Sequence, residues 1–132
     1  MVTKILQLLK DKNDHLADFI EINEMELPNI VAGDFTNLER FYVNRESLLN
    51  MVRIIDHQID EINRSQLQMV VLEGDQERLR MLLAEKDELV RHILNQDLQI
   101  LSRLESEKSD IIKNLRVVQQ TKKALGAYGQ GL

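Results

Sequence analysis

Cysteine is absent from this chain of 132 residues. Without a thiol it can form neither a disulfide framework, nor a thiolate metal site, nor a cysteine nucleophile. The N-terminal region has no signal-peptide core, because charged residues at positions 10–12 interrupt the first apolar run. No run reaches the roughly 18–20 apolar residues that cross a bilayer. These absences predict a cytoplasmic protein without membrane insertion.

Proline, glycine and aromatic residues are scarce as well. Pro28 is the single proline, and only two of the five glycines, Gly33 and Gly74, precede residue 126. Aromatic residues make up 4% of the chain, which is too few for the core of a β-sandwich or barrel. Leucine, isoleucine, glutamate, lysine, glutamine and arginine dominate instead, and most of these residues favour helices. The composition therefore predicts an all-α fold.

Motifs that carry chemistry are also missing. The three histidines are His15, His57 and His92, and none has a glutamate three positions before it, which excludes a di-iron helical bundle. Glu88 and His92 could meet on one helix face, but an isolated pair of this kind is typical of a surface contact. The chain contains no P-loop, dinucleotide-binding, nucleophile-elbow or zinc-protease motif. We therefore expect no catalytic residue, metal or cofactor, and the protein is not predicted to be an enzyme.

Two Gly-Asp pairs divide the chain into three parts with apolar residues at helical spacings of three, four and seven. In each pair, the glycine can end one helix and the aspartate can cap the next, which predicts Asp34 and Asp75 as N-caps. The predicted helices are residues 3–32, 34–72 and 75–125.

These helices predict a single domain, residues 1–125, built as an elongated antiparallel bundle or a coiled-coil hairpin of three long helices. Pro28 is expected to kink or split the first helix. An unbroken third helix would be roughly 75 Å long, so it must overhang the second helix or pair with the first. Residues 126–132 contain three glycines and are predicted to form a flexible tail.

The formal net charge of -5 argues against a general nucleic-acid-binding protein. Residues 11–39 carry eight acids and one base, whereas residues 113–132 carry four bases and no acid. This asymmetry indicates either solvated surfaces and a basic helix end that complements the helix dipole, or polarised surfaces that select a partner.

Polar residues also occur at or beside the apolar seams of the second and third helices. In coiled coils such residues trade stability for register and partner choice. For each residue alone, the favoured interpretation is that long cations extend outward and short polar groups face solvent. The set consists of Arg45, Asp56, Lys86, Asn95 and Asp97.

Four segments resemble the bacterial flagellar export chaperones of the FlgN/FliT type. They are residues 32–40 (AGDFTNLER), 45–49 (RESLL) and 93–101 (ILNQDLQIL), together with Tyr128-Gly129 after a basic helix end. The resemblance implies a cytoplasmic chaperone that binds the amphipathic terminal helix of a late axial subunit, a hook-associated or filament-cap protein. It also implies delivery of that client to the export gate, with Tyr128 as a contact for the gate. The alternative is a structural or adaptor coiled-coil protein that self-associates through its helical seams, for example as a homodimer.

The predicted third helix is too long for the other two helices to cover, so we expect part of its apolar stripe to remain exposed. Such a surface on a soluble protein typically marks a binding site, and nearby bases could attract an acidic client segment. The resemblance points to the same C-terminal region. The predicted partner-binding residues are Leu101, Leu104, Ile111, Ile112, Leu115, Val118, Leu125 and Tyr128.

Overall fold

A computed structural model describes residues 2–65 and 73–128 of the chain, with side-chain surroundings for residues 2–65 and 74–117. These residues form three helices: α1 (Val2–Val31), α2 (Leu38–Ser65) and α3 (Glu73–Tyr128). Within the described ranges there is no strand. The all-α fold with three long helices that the sequence predicts is confirmed.

The end of α1 follows the prediction for Gly33. This residue adopts a φ of 79°, in the left-handed region that glycine enters without steric cost. The Gly33 N–H donates to the Ile30 carbonyl (3.0 Å), and the Asp34 N–H donates to the Asn29 carbonyl (2.8 Å). This pair of bonds is a Schellman motif, which satisfies carbonyls that the helix end would otherwise leave without partners.

The prediction that Asp34 caps α2 is wrong, because that helix starts four residues later. The Asp34 carboxylate instead closes a turn by accepting bonds from the Thr36 N–H (3.1 Å) and hydroxyl (2.6 Å). These bonds hold the pKa of Asp34 below its ordinary value, with the hydroxyl as the largest cause. The Phe41 N–H donates to the Asn37 carbonyl at 2.9 Å, so Asn37 occupies the cap position.

The prediction that Asp75 caps the third helix is also wrong. α3 begins at Glu73, so Gly74 and Asp75 lie within its first turn. An isolated glycine costs a helix only about 1 kcal/mol, which the surrounding helix formers can offset. The predicted second helix reaches residue 72; the structure describes α2 as far as Ser65, and residues 66–72 lie outside the described part.

Two other predictions concern Pro28 and the C-terminal tail. Pro28 does not split α1, which continues to Val31, and the Ala32 N–H still donates to the Pro28 carbonyl at 3.0 Å. The proline sits in the last turns of the helix, where its missing N–H removes only one bond. At the other end of the chain, α3 includes residues 126–128, which were assigned to the tail, and residues 129–132 lie outside the described part.

α1 lies against both other helices. It runs antiparallel to α2, since the Lys12 ammonium meets the Asp56 carboxylate at 2.7 Å near one end and Ile30 packs with Phe41 near the other. The short connection between the two helices requires this direction. A core cluster of Ile30, Phe41 and Ile100 joins all three helices at the end where α1 turns into α2.

α3 runs parallel to α1, because the residue numbers of the contacting pairs rise in the same direction along both helices. The Asn13 side chain donates to the Leu82 carbonyl at 3.0 Å, close to the start of α3. At the far end, the Arg103 guanidinium donates to the Val31 carbonyl at 3.2 Å. Of the two arrangements that the sequence left open, the third helix therefore pairs with the first along part of its length.

α3 extends well beyond the rest of the bundle. Its 56 residues span roughly 84 Å at 1.5 Å per residue. Because Arg103 lies opposite the last turn of α1, the remaining 25 residues project roughly 37 Å past it. Residues 108–117 are all exposed. We call residues 105–128 the α3 extension.

Candidate functional site

Two neighbouring faces of α3 behave differently along the helix. The face that packs on α1 has buried or half-buried residues at alternating spacings of four and three: Leu79, Leu82, Lys86, Leu89, Ile93, Gln96, Ile100 and Arg103. At the next positions of this seam stand Glu107, Asp110 and Asn114. The first three seam positions past the end of α1 are thus polar, and the next, Val117, is apolar and exposed.

The second face of α3 remains apolar beyond that point. Seven residues share it, and we call them the outer stripe: Leu94, Leu98, Leu101, Leu104, Ile111, Ile112 and Leu115. The stripe begins beside the bundle and continues onto the α3 extension, over roughly 31 Å of helix. Leu98 is 65% exposed, and Leu115 is 56% exposed. Exposed apolar surface of this length is typical of a protein-binding site.

The structure places the predicted partner-binding residues along one helix. Leu101 is 54% exposed, Ile111 51% and Ile112 39%. Leu104 differs because it is half-buried against the cluster of Ile30, Phe41 and Ile100. It therefore anchors the outer stripe to the bundle. The remaining predicted residues lie on α3, but their side chains are outside the described part: Val118, Leu125 and Tyr128.

Three basic residues lie on or beside the outer stripe, interspersed with the acids Glu105, Glu107 and Asp110. Lys108 lies between Leu104 and Ile111, and Lys113 and Arg116 are exposed on the same extension. Within the part of the chain that the structure describes, these three cations form no ion pair at 4.0 Å or less. They are therefore available to acidic groups of a partner.

A charged contact ties the three helices together next to the stripe. The Arg45 guanidinium on α2 donates to the Asp97 carboxylate on α3 at 2.9 Å. It also lies 4.7 Å from the ring centroid of Phe19 on α1 and 4.9 Å from that of Phe41. Cation–π contacts and a half-buried ion pair favour one arrangement of the helices. For Arg45 and Asp97, the interpretation that seam polar residues set the register is therefore the better one.

The interface between α1 and α3 contains buried amides that the sequence analysis missed. The Asn23 side chain donates to the Gln96 side chain at 2.9 Å, and the Gln96 amide donates to the Ile20 carbonyl at 3.2 Å. Asn13 is buried as well and bonds the Leu82 carbonyl. The available signal was position, because the two buried asparagines of α1 fall on the same three-and-four spacing as Leu16, an apolar seam residue.

The other seam residues follow the solvent-facing interpretation more closely. Lys86 pairs with its neighbour Asp87 at 2.7 Å, which lowers the pKa of that carboxyl. Asn95 is exposed. Asp56 is also exposed, although it pairs with Lys12 across the helices.

Glu88 and His92, which could have met on one helix face, have different partners in the described part of the chain. Glu88 pairs with Arg91 at 2.6 Å, whereas His92 faces Glu24 at 3.9 Å. Among residues 2–65 and 73–128, no group of three histidine or carboxylate side chains could hold a metal ion. The helices of this part of the chain also include none with the length and hydropathy of a membrane span.

The geometry defines the class of protein as an α-helical bundle with a projecting, amphipathic third helix. In comparisons with protein-family models, curated proteins and solved structures, nothing matched the chain.

Proposed function

We propose that the protein is a cytoplasmic chaperone for flagellar export, and that its outer stripe binds the amphipathic terminal helix of a late axial subunit. The client would be a hook-associated or filament-cap protein. A subunit that polymerises only after export carries an apolar helix face that must be covered beforehand. A helical stripe of matching length can cover it by helix-to-helix packing.

One observation carries this proposal: the outer stripe continues along the α3 extension after the bundle has ended. A helix face that is apolar yet packs against nothing in its own described chain is costly to leave in water. Ile111, Ile112 and Leu115 are apolar and exposed there, whereas the first three seam positions past the end of α1 are polar. The resemblance of residues 32–49 and 93–101 to flagellar export chaperones names the kind of helix that would bind.

Delivery of the client belongs to the same proposal. The resemblance to flagellar export chaperones implies a contact with the export gate at Tyr128. This residue is the last that the structure assigns to α3. We propose that Tyr128 contacts the export gate while the outer stripe holds the client. Tyr128→Ala is expected to retain client binding and to lose export, measured as the amount of client secreted by flagellated cells.

The direct test is calorimetric titration of the full chain with terminal-helix peptides from hook-associated and filament-cap proteins. We expect one of these peptides to bind at 1:1 stoichiometry, whereas the same peptide with its apolar face changed to serine does not bind. In the chain itself, Leu115→Ser is expected to weaken binding of the peptide. Met81→Ser is the matched control and should bind it normally, because Met81 is 62% exposed on α3 but lies outside the outer stripe. Binding by none of the peptides would contradict the proposal.

The alternative function is a self-associating coiled-coil adaptor, and the same exposed stripe favours it as a surface for a second copy. Sedimentation equilibrium separates the two functions. A chaperone is expected to form a 1:1 complex with its client peptide, whereas an adaptor is expected to form a stable dimer that the peptide does not dissociate. The second result would replace the chaperone proposal.

A further inference from the structure

One cation interrupts the outer stripe. Between Leu101 and Leu115, the central positions of the stripe alternate at spacings of three and four: Leu101, Leu104, Lys108, Ile111 and Leu115. Four of these five positions are apolar, and the fifth is an exposed lysine at the centre. In a helix-to-helix interface, this spacing defines the residues that the partner helix covers.

Lys108 has no electrostatic partner among the residues that the structure describes. The nearby acid Glu107 pairs with Arg103 at 3.2 Å, and Arg103 also donates to the end of α1. Glu105, three positions before Lys108, lies on the same face of α3 at heptad spacing from Leu98 and Ile112, and it forms no ion pair at 4.0 Å or less within the described residues. The Lys108 ammonium is therefore free to meet a group from outside.

We propose that Lys108 sets the register of the bound client helix, and that the client carries a single carboxylate within its own apolar face to meet it. This inference rests on the proposed function and names the chemistry of its partner. A helix that covers the stripe removes water from Lys108, and an ammonium without water or a counter-charge is strongly disfavoured. An aspartate or glutamate at the facing position restores a partner, whereas an apolar or basic residue does not.

The same charge also selects against wrong alignments. Sliding the client by one heptad would place its carboxylate against Leu101 or Leu115 and leave Lys108 covered by an apolar side chain. Both groups would then lose their water without gaining a partner, so only one alignment is favourable. An isolated polar residue in an otherwise apolar seam fixes helix register in coiled coils by this means.

A displayed library of amphipathic helical peptides tests the inference with defined probes. One central position of the apolar face is randomised. Peptides that bind the full-length native chain, Lys108→Glu or Lys113→Glu are then selected in three separate experiments. The last variant is a matched control, because it makes the same charge change on the same helix outside the outer stripe. Both Lys108 and Lys113 are exposed, so the unfolding midpoints of the native chain and the two variants should agree.

Selection against the native chain is expected to enrich glutamate or aspartate at the randomised position, and so is selection against Lys113→Glu. Lys108→Glu should enrich lysine or arginine, and its affinity for the acidic peptide should fall by about tenfold or more. The same preference with the native chain and Lys108→Glu would overturn the inference, as would an equal change in preference with Lys113→Glu. Failure to enrich any helical peptide would instead contradict the proposed function itself.

Discussion

The Gly33 backbone shows how a single residue controls the turn between α1 and α2. Its φ of 79° is unfavourable for any residue with a Cβ, and a Cβ built there would lie 3.2 Å from Nη2 of Arg103. We expect Gly33→Ala to lower the free energy of unfolding by about 1–2 kcal/mol, measured by urea denaturation. Gly33→Asn should cost less, because asparagine tolerates the left-handed region better. Equal losses in both variants would point to the contact with Arg103 as the cause.

The turn at Asp34 makes a prediction about pH. Hydrogen bonds from the Thr36 hydroxyl and then the Thr36 N–H hold the pKa of Asp34 below its ordinary value. Because the folded pKa is lowered, the stabilisation is present above the pKa of the unfolded chain and is lost as pH falls through the folded pKa. We expect Thr36→Ala to raise the pKa of Asp34 toward its ordinary value, measured by NMR titration of the carboxyl carbon. Thr36→Ser should keep it low, and an unchanged pKa in Thr36→Ala would exclude the hydroxyl as the main cause.

Arg45 and Asp97 are the residues whose contact joins α2 to α3. Both side chains are partly shielded from water, and the guanidinium also rests on two aromatic rings. A double-mutant cycle with Arg45→Ala and Asp97→Ala is expected to give a coupling free energy of about 1 kcal/mol in urea denaturation. The exposed pair of Arg64 and Asp60 serves as a comparison with a smaller expected coupling. Additive effects of the two substitutions would mean that the ion pair does not contribute.

At the scale of the helices, the spacing of apolar residues predicts that three helices form, but it does not predict the residue at which each helix begins. Asp34 and Asp75 both have the residue type of an N-cap, yet neither occupies that position. Asp34 has a competing local partner in Thr36, and Asp75 lies within α3, which already includes Glu73 and Gly74. The prediction from cap residue types is correct only at Gly33, because the backbone conformation at that position itself favours glycine.

The two halves of α3 should differ in local stability. Residues 93–104 pack on α1 and on the core cluster, whereas residues 108–117 have exposed side chains and no packed neighbour among the described residues. A helix without tertiary contacts is marginally stable in water. We expect amide hydrogens of residues 108–117 to exchange with deuterium much faster than those of residues 93–104, as measured by NMR. Equal protection in both segments would show that the extension packs against something in the free protein.

At the scale of the whole molecule, the sequence left open which helix covers α3. Three helices with similar apolar seams are compatible with several pairings, because seam spacing alone does not distinguish one apolar partner from another. The observed pairing brings polar side chains together across the helices, such as Asn23 with Gln96 and Arg45 with Asp97. These contacts join residues more than 50 positions apart, so the local sequence around each residue could not reveal them. The location of the candidate site was predictable, since it follows from the excess length of α3.

The central claim is that the outer stripe on the α3 extension binds a partner and is not part of the core. The measurement that tests it most directly is made on the double variant Ile112→Ser and Leu115→Ser, by following urea unfolding and binding of the client helix in the same preparation. Both residues are exposed, so the free energy of unfolding should change by no more than about 0.5 kcal/mol per site, while client binding is lost. A loss of stability on the order of 2–5 kcal/mol, as in Ile100→Ser at the core, would show that these side chains are buried in solution and would contradict the claim.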